Sequence, residues 1–192
     1  MTTVYFVRHA EPNYANHDDM TRELTPKGLA DSKLVTRFLK DKNVDVVFSS
    51  PFKRAVDTIR DFAQTSGLPI HLEDGFRERR IGEGWMEDED FTAFCERQWS
   101  DFDYKRPGGE SLREVQARNV AALERLLSQY GGKTLVVGTH GVALSTIINH
   151  YDGGFGYAGF ASIRGLMPWV VKMTFEGDAL GEIQHMNPIE KP

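Results

Sequence analysis

The sequence holds one cysteine, Cys95, among 192 residues. That excludes a disulfide framework and a cysteine-built metal cluster. No stretch approaches the roughly 20 apolar residues of a membrane-crossing helix, so no membrane partner is expected. Positive charge is in deficit: 23 Lys and Arg stand against 28 Asp and Glu, a formal net charge of −5. A protein that grips nucleic acid regardless of sequence needs a basic face, so no nucleic-acid partner is expected. Met1-Thr2-Thr3 runs directly into an apolar strand without the pattern of a secretory leader, and the expected location is the cytoplasm. Repeats, low-complexity tracts and linker-like stretches are also missing. With 40% hydrophobic and 11% aromatic residues, the chain reads as one compact domain over 1–192 that can bury a real core.

What is present alternates between short apolar runs and helical spacing. Thr3–Val7, Val44–Phe48, Ile70–Leu72 and Thr134–Gly138 read as strands, being short, apolar and β-branched. Thr25-Pro26 predicts a helix start, with Leu29, Leu34, Val35, Phe38 and Leu39 carrying the helix to about Lys42. A second helix carries Ala55, Val56, Ile59, Phe62 and Ala63 and ends at Gly67. Ser111 caps a third, which Gly131-Gly132 stops, and a fourth spans Val142–Asn149. Trp169–Phe175 and Gly181–Met186 predict two strands about a turn at Gly177-Asp178. Such alternation predicts an α/β fold: three layers, α/β/α, around a mostly parallel sheet with an antiparallel edge. Residues 73–109 are irregular, with Phe91, Phe94, Trp99 and Phe102 at helical spacing, and predict a small cap or insertion.

Charge is uneven. Residues 73–103 hold 11 acidic and 4 basic side chains, net −7, which leaves +2 for the remainder. The acidic run Glu87–Asp90 predicts a solvated stretch ahead of a helix. His17, His71, His150 and His185 are expected to be structural or surface residues, and Cys95 an inert buried thiol.

Three basic landmarks fall at strand ends: Arg8-His9 after the first strand, Arg54 in the first turn after the second, and His140 after the strand ending at Gly138. In open parallel sheets ligands bind beyond the carboxyl ends of the strands, so these residues should converge. Two arginines, two histidines and a helix starting near Gly141 suit a phosphoryl group. Guanidinium forks match phosphate oxygens, helix N-termini add donors, and a neutral imidazole is a nucleophile. A cation in the first turn opposes the helix dipole, so Arg54 is expected to have an anion partner. No His-x-x-x-His spacing is present, and no metal is expected.

The stretches around these landmarks are similar to known ones. Val7-Arg8-His9-Ala10-Glu11 resembles the Arg-His-Gly signature of the histidine phosphatase, or phosphoglycerate mutase-like, superfamily. Leu24–Gly28, Ser49–Ala55, Phe76–Gly82, Pro107–Ser111 and Val137–Gly141 resemble its further segments, in family order. The resemblance implies His9 as nucleophile, with Arg8, Arg54, His140 and Gly141 around the phosphoryl oxygens. It implies Glu78 as the acid that protonates the leaving alcohol, best served by a raised pKa, with Glu83 as fallback. The family asparagine six residues after the histidine is displaced here, which leaves Asn16, or Asn13, for that contact. Cofactors: none; partner: a small phosphorylated metabolite. The implied activity is a metal-independent phosphatase working through phosphohistidine. The alternative is a phosphoglycerate mutase using the same site, which the acidic 73–109 segment disfavours because its substrate is doubly anionic. Ala10, where the family signature has glycine, also resembles the small phosphohistidine-phosphatase branch, which lacks the glutamate segment and cap.

Overall fold

The structure is a computed structural model and describes residues 1–86 and 88–189. Six strands form one sheet: β1 (Thr2–Arg8), β2 (Val46–Ser49), β3 (Ile70–Leu72), β4 (Thr134–Thr139), β5 (Trp169–Glu176) and β6 (Ala179–Met186). Their spatial order is β3-β2-β4-β1-β5-β6. The first four run parallel; β5 is antiparallel to β1 and β6 to β5.

Both faces are covered, and the strand period of two shows how. Val4 and Phe6 of β1 enter one core, and Tyr5 and Val7 the other. β4 does the same with Leu135 and Val137 against Val136. Helices α1 (Pro26–Leu39) and α2 (Lys53–Ser66) cover the second face. The first face takes α4 (Leu112–Gln129) and α5 (Gly141–Tyr151), with α6 (Tyr157–Ile163) and α3 (Asp88–Ser100) beyond them. Each fully buried side chain such as Phe6 or Leu144 contributes about 1.5–3 kcal/mol.

Local signals set the helix ends. The Thr25 side chain accepts from the Gly28 N–H, with Pro26 at the first helical position. Gly67 stops α2 in the left-handed region, at φ 67°. Ser111 and Glu114 make a reciprocal capping box at the start of α4, a cap worth about 1 kcal/mol. The first helix ends at Leu39 rather than near Lys42. Helix α6 has no signature in the sequence: seven residues among Gly153, Gly154, Gly156, Gly159 and Gly165 carry too little periodicity to read.

β1 and β4 are neighbours, yet the helices that follow them, α1 and α5, lie on opposite faces. A crevice opens where connections diverge in this way. His9 sits at its edge, with its backbone N–H on the Thr139 carbonyl at 3.1 Å.

The 73–109 segment is anchored on α4. Glu110 accepts from Arg118 at 2.9 and 3.1 Å, from Arg77 at 3.2 Å and from the Arg80 N–H at 2.9 Å. Arg118 also donates to the carbonyls of Gly75, Arg77 and Glu78. Trp99 of α3 stacks on Phe160 of α6, with centroids 5.8 Å apart. Part of the Glu87–Asp90 run, Glu87, lies outside the described residues.

Candidate active site

A cavity of about 840 Å³ lies at the crevice. Arg8, His9, Arg54, Glu78 and Gly141, far apart in sequence, all line it. His140 lies directly behind, fully enclosed, its ring 5.3 Å from that of His9.

His9 is 5% exposed. Its Nδ1 lies 2.8 Å from the Ala10 carbonyl, which only accepts, so Nδ1 carries the proton and Nε2 the lone pair. Burial, and then the charges of Arg54 and Arg8, hold its pKa well below the ordinary 6.5. The ring is neutral at pH 7. His140 is likewise held well below 6.5, by burial first and Arg54 second. Its Nε2 pairs with the Ser50 hydroxyl at 2.8 Å, and its Nδ1 is buried without a partner among the described residues. Ser50 belongs to the Ser49–Ala55 stretch, but its role as the partner of His140 was not legible in the sequence.

A consequence for stability follows from these two rings. An unfolded histidine takes a proton as pH falls through about 6.5, whereas these two stay neutral to well below it. The unfolded state therefore binds more protons in acid, and stability, complete above about 6.5, drops as pH falls. Each ring costs up to about 1.4 kcal/mol per pH unit in that window. Urea melts at pH 6.5 and 5.5 should show wild type losing about 1 kcal/mol more than a His9→Gln variant. Equal losses would place the His9 titration elsewhere.

Arg54 is 3% exposed, and its expected anion partner is Asp19. Nη1 donates to the Asp19 carbonyl at 2.7 Å, and Nη2 lies 3.4 Å from its carboxylate. Arg8 departs from the expected bidentate grip on phosphate. Its Nη1 donates to the Ile163 and Leu166 carbonyls at 2.5 and 3.0 Å, and its Nη2 to the Arg164 carbonyl at 3.1 Å. The last carbonyls of a helix lack intrahelical donors, and those closing α6 draw on this guanidinium. The buried Nε of Arg8 has no partner among the described residues. A Cβ on Gly141 would meet the Arg8 guanidinium at 3.2 Å, so a glycine there lets the cation lie against the start of α5.

Glu78 caps α5. Its two carboxylate oxygens accept from the N–H groups of Val142 and Ala143, each at 3.0 Å, and from its neighbour Arg79 at 2.8 Å. Two backbone donors at this helix start, those of Val142 and Ala143, are therefore engaged by Glu78. Arg77 turns to Asp74 and Glu110, and Arg79 to Gln98 at 2.6 Å. Glu83, the fallback acid, does not line the cavity.

Asn16 is not brought to the site. Its amide donates to Glu23 at 2.9 Å, as does that of Asn13 at 2.6 Å, and neither lines the cavity. These bonds, that of Asn16 first, hold the Glu23 carboxyl down at about 2. A stable carboxylate thus occupies both amides.

The acidity of residues 73–103 does not reach the cavity either. Of its described acids only Glu78 lines the wall, alongside Arg79 and Arg80. Among the described residues, six arginines (Arg8, Arg22, Arg54, Arg79, Arg80 and Arg164) face two carboxylates, Asp19 and Glu78. The expectation that this segment repels a doubly anionic substrate is corrected accordingly: the count follows the chain, but the field follows side-chain direction. Trp85 and Phe91 of the cap aromatics line the cavity, while Phe94 and Trp99 are buried in packing. Cys95 is a buried free thiol, its pKa raised by burial. Among the described residues no cluster of His, Cys, Asp or Glu could hold a metal ion, and no helix is long and apolar enough to cross a membrane.

Comparison with known proteins meets this geometry. A "Putative phosphoserine phosphatase 2" of Hydrogenobacter thermophilus is 29% identical over 160 residues, 77% of each chain. A 2,3-bisphosphoglycerate-dependent phosphoglycerate mutase of Beijerinckia indica is 30% identical over 144 residues, 68% of this chain and 70% of that one. The fold is shared with Bacillus stearothermophilus YhfR at a TM-score of 0.78 and 21% identity, covering 94% of this chain and 95% of that one. The family model for the histidine phosphatase superfamily, branch 1, matches residues 4–187. The chain belongs to that superfamily, whose members among its relatives act on phosphate esters.

Proposed function

We propose that this chain is a metal-independent phosphatase that hydrolyses small phosphate monoesters through a phosphohistidine on His9. One observation carries the reading: a buried, neutral imidazole whose Nε2 keeps its lone pair, in a cavity with Arg8 and Arg54. In the first step the Nε2 lone pair forms a bond to phosphorus and the ester P–O bond breaks. Glu78, protonated, gives its proton to the departing oxygen. To do so it exchanges a bond with the α5 backbone for one with substrate. In the second step water attacks phosphorus, the N–P bond breaks, and the Glu78 carboxylate takes the water's proton. Phosphate leaves and His9 is neutral again. Arg54 and the Nε of Arg8 bear the charge that develops on the phosphoryl oxygens, with His140 behind. The substrate is a small phosphorylated metabolite, in line with relatives named phosphoserine phosphatase.

The second reading, a phosphoglycerate mutase, draws support from the arginine-rich wall, which suits a doubly charged substrate, and from the mutase relative. The phosphohistidine-phosphatase reading is disfavoured by α3 and its surroundings, which give this cavity a wall. The deciding experiment follows phosphate release over a panel of phosphorylated metabolites, with EDTA present. A mutase assay with and without bisphosphoglycerate runs alongside. Phosphate release unaffected by EDTA is expected; isomerisation that needs the primer and frees no phosphate would overturn the proposal.

A further inference from the structure

One buried cation in the cavity has no part in the mechanism above. Arg22 is 7% exposed and lines the same wall as His9 and Arg54. Four contacts fix it. Nε donates to the Asn16 carbonyl at 2.7 Å, Nη1 donates to Asp19 Oδ1 at 3.0 Å, and the guanidinium lies over the rings of Trp85 and Tyr14 at 5.6 and 5.7 Å. Nη2 donates to no protein group among the described residues. The guanidinium is thus oriented in advance with both N–H groups of Nη2 unused among the described residues, which lowers the entropy lost when an anion binds. The same Asp19 oxygen lies 3.4 Å from Arg54 Nη2, so one carboxylate bridges the two arginines.

We propose that Arg22 is a third guanidinium of the phosphoryl pocket, binding the transferred phosphate through Nη2 beside Arg54, with Asp19 holding the two cations together against their mutual repulsion. The inference rests on His9 marking the phosphoryl position. Two like charges set side by side in a nearly dry wall are costly, and a single carboxylate offsets them only in part. A phosphate dianion supplies the remaining negative charge. The field of Arg22 also reaches its neighbours, since its charge opposes protonation of His9 and of Arg54. The groups facing His9 are then Arg8, Arg54, Arg22 and the neutral His140.

The test titrates inorganic phosphate calorimetrically into wild type, Arg22→Ala, Arg22→Lys and Arg22→Gln. It also records the pH profile of kcat/KM for p-nitrophenyl phosphate. The alanine variant should bind phosphate at least about tenfold more weakly. The lysine variant should recover part of that loss, and the glutamine variant none. The acidic limb should move to higher pH in the alanine and glutamine variants and stay in place in the lysine variant. Phosphate binding within twofold of wild type for both uncharged variants would overturn the proposal. Equal losses in the lysine and glutamine variants would also overturn it, because Arg22 would then be a clasp for its loop. The lysine and glutamine comparison stands even if the alanine variant fails to fold. Wild type that binds phosphate but frees none from esters would sink the hydrolytic reading, while the titrations still decide Arg22.

Discussion

Replacing His9 with alanine is expected to lower the turnover of p-nitrophenyl phosphate by about 10⁴-fold or more. On the proposed mechanism the variant loses the atom that bonds to phosphorus, and neither His140 nor Glu78 is placed to take over. His140 is enclosed behind, with one nitrogen on Ser50 and the other buried. Glu78 is engaged at the start of α5. The fold should survive. Among the described residues the ring makes one hydrogen bond, to Ala10, and removing a neutral imidazole strands no ionised partner. Circular dichroism should match wild type, and inorganic phosphate should still bind, since the arginines remain. Turnover at the wild-type rate in a correctly folded variant would remove the mechanism.

Exchanging Glu78 for glutamine is expected to cut kcat by 10²- to 10⁴-fold on alkyl phosphates, about the worth of a positioned general acid. The loss should shrink for p-nitrophenyl phosphate, whose leaving group departs without a proton. That contrast between substrates separates proton donation from scaffolding. Scaffolding is a real concern here, because the Glu78 carboxylate accepts from both Val142 and Ala143. The glutamine keeps one acceptor oxygen for them. An alanine there leaves both N–H groups bare and should also cost about 1–2 kcal/mol in a thermal melt. A uniform loss across leaving groups would reduce Glu78 to the cap of α5.

The two predictions lean on different kinds of information. His9 and Arg54 could be placed from the sequence because strand ends and helix starts are local events. Thr25-Pro26, Ser111-x-x-Glu114 and Gly67 mark helix ends within a few residues of themselves. A parallel sheet then carries each strand end to the same edge. Arg22 and Asp19 carried no such mark. They lie in an irregular stretch between β1 and α1, and nothing in the spacing of Asn16, Asp19 and Arg22 shows that a loop folds back to set Arg22 over Trp85. Arg118 was equally hidden. It reads as an ordinary polar position of α4, yet it holds the carbonyls of Gly75, Arg77 and Glu78 and so sets where Glu78 stands.

Asn16 failed for the opposite reason. Its place along the chain suggested a phosphate contact, and an acid seven residues on, Glu23, bound its amide first. Hydrogen bonding is decided by distance and competition among all partners, which position in the sequence does not express. The charge of 73–103 followed the same rule.

The sequence by itself determined the family, the order of the strands and of the helices other than α6, and the neighbourhood of His9, Arg54, Glu78 and His140, because periodicity, caps and short motifs act over a few residues. Only the tertiary structure decided which nitrogen of His9 is free, that Arg8 spends its fork on the end of α6, and that Arg22 and Asp19 join the pocket. Those outcomes depend on long-range packing: a donor is committed to whichever acceptor the folded chain brings within about 3 Å.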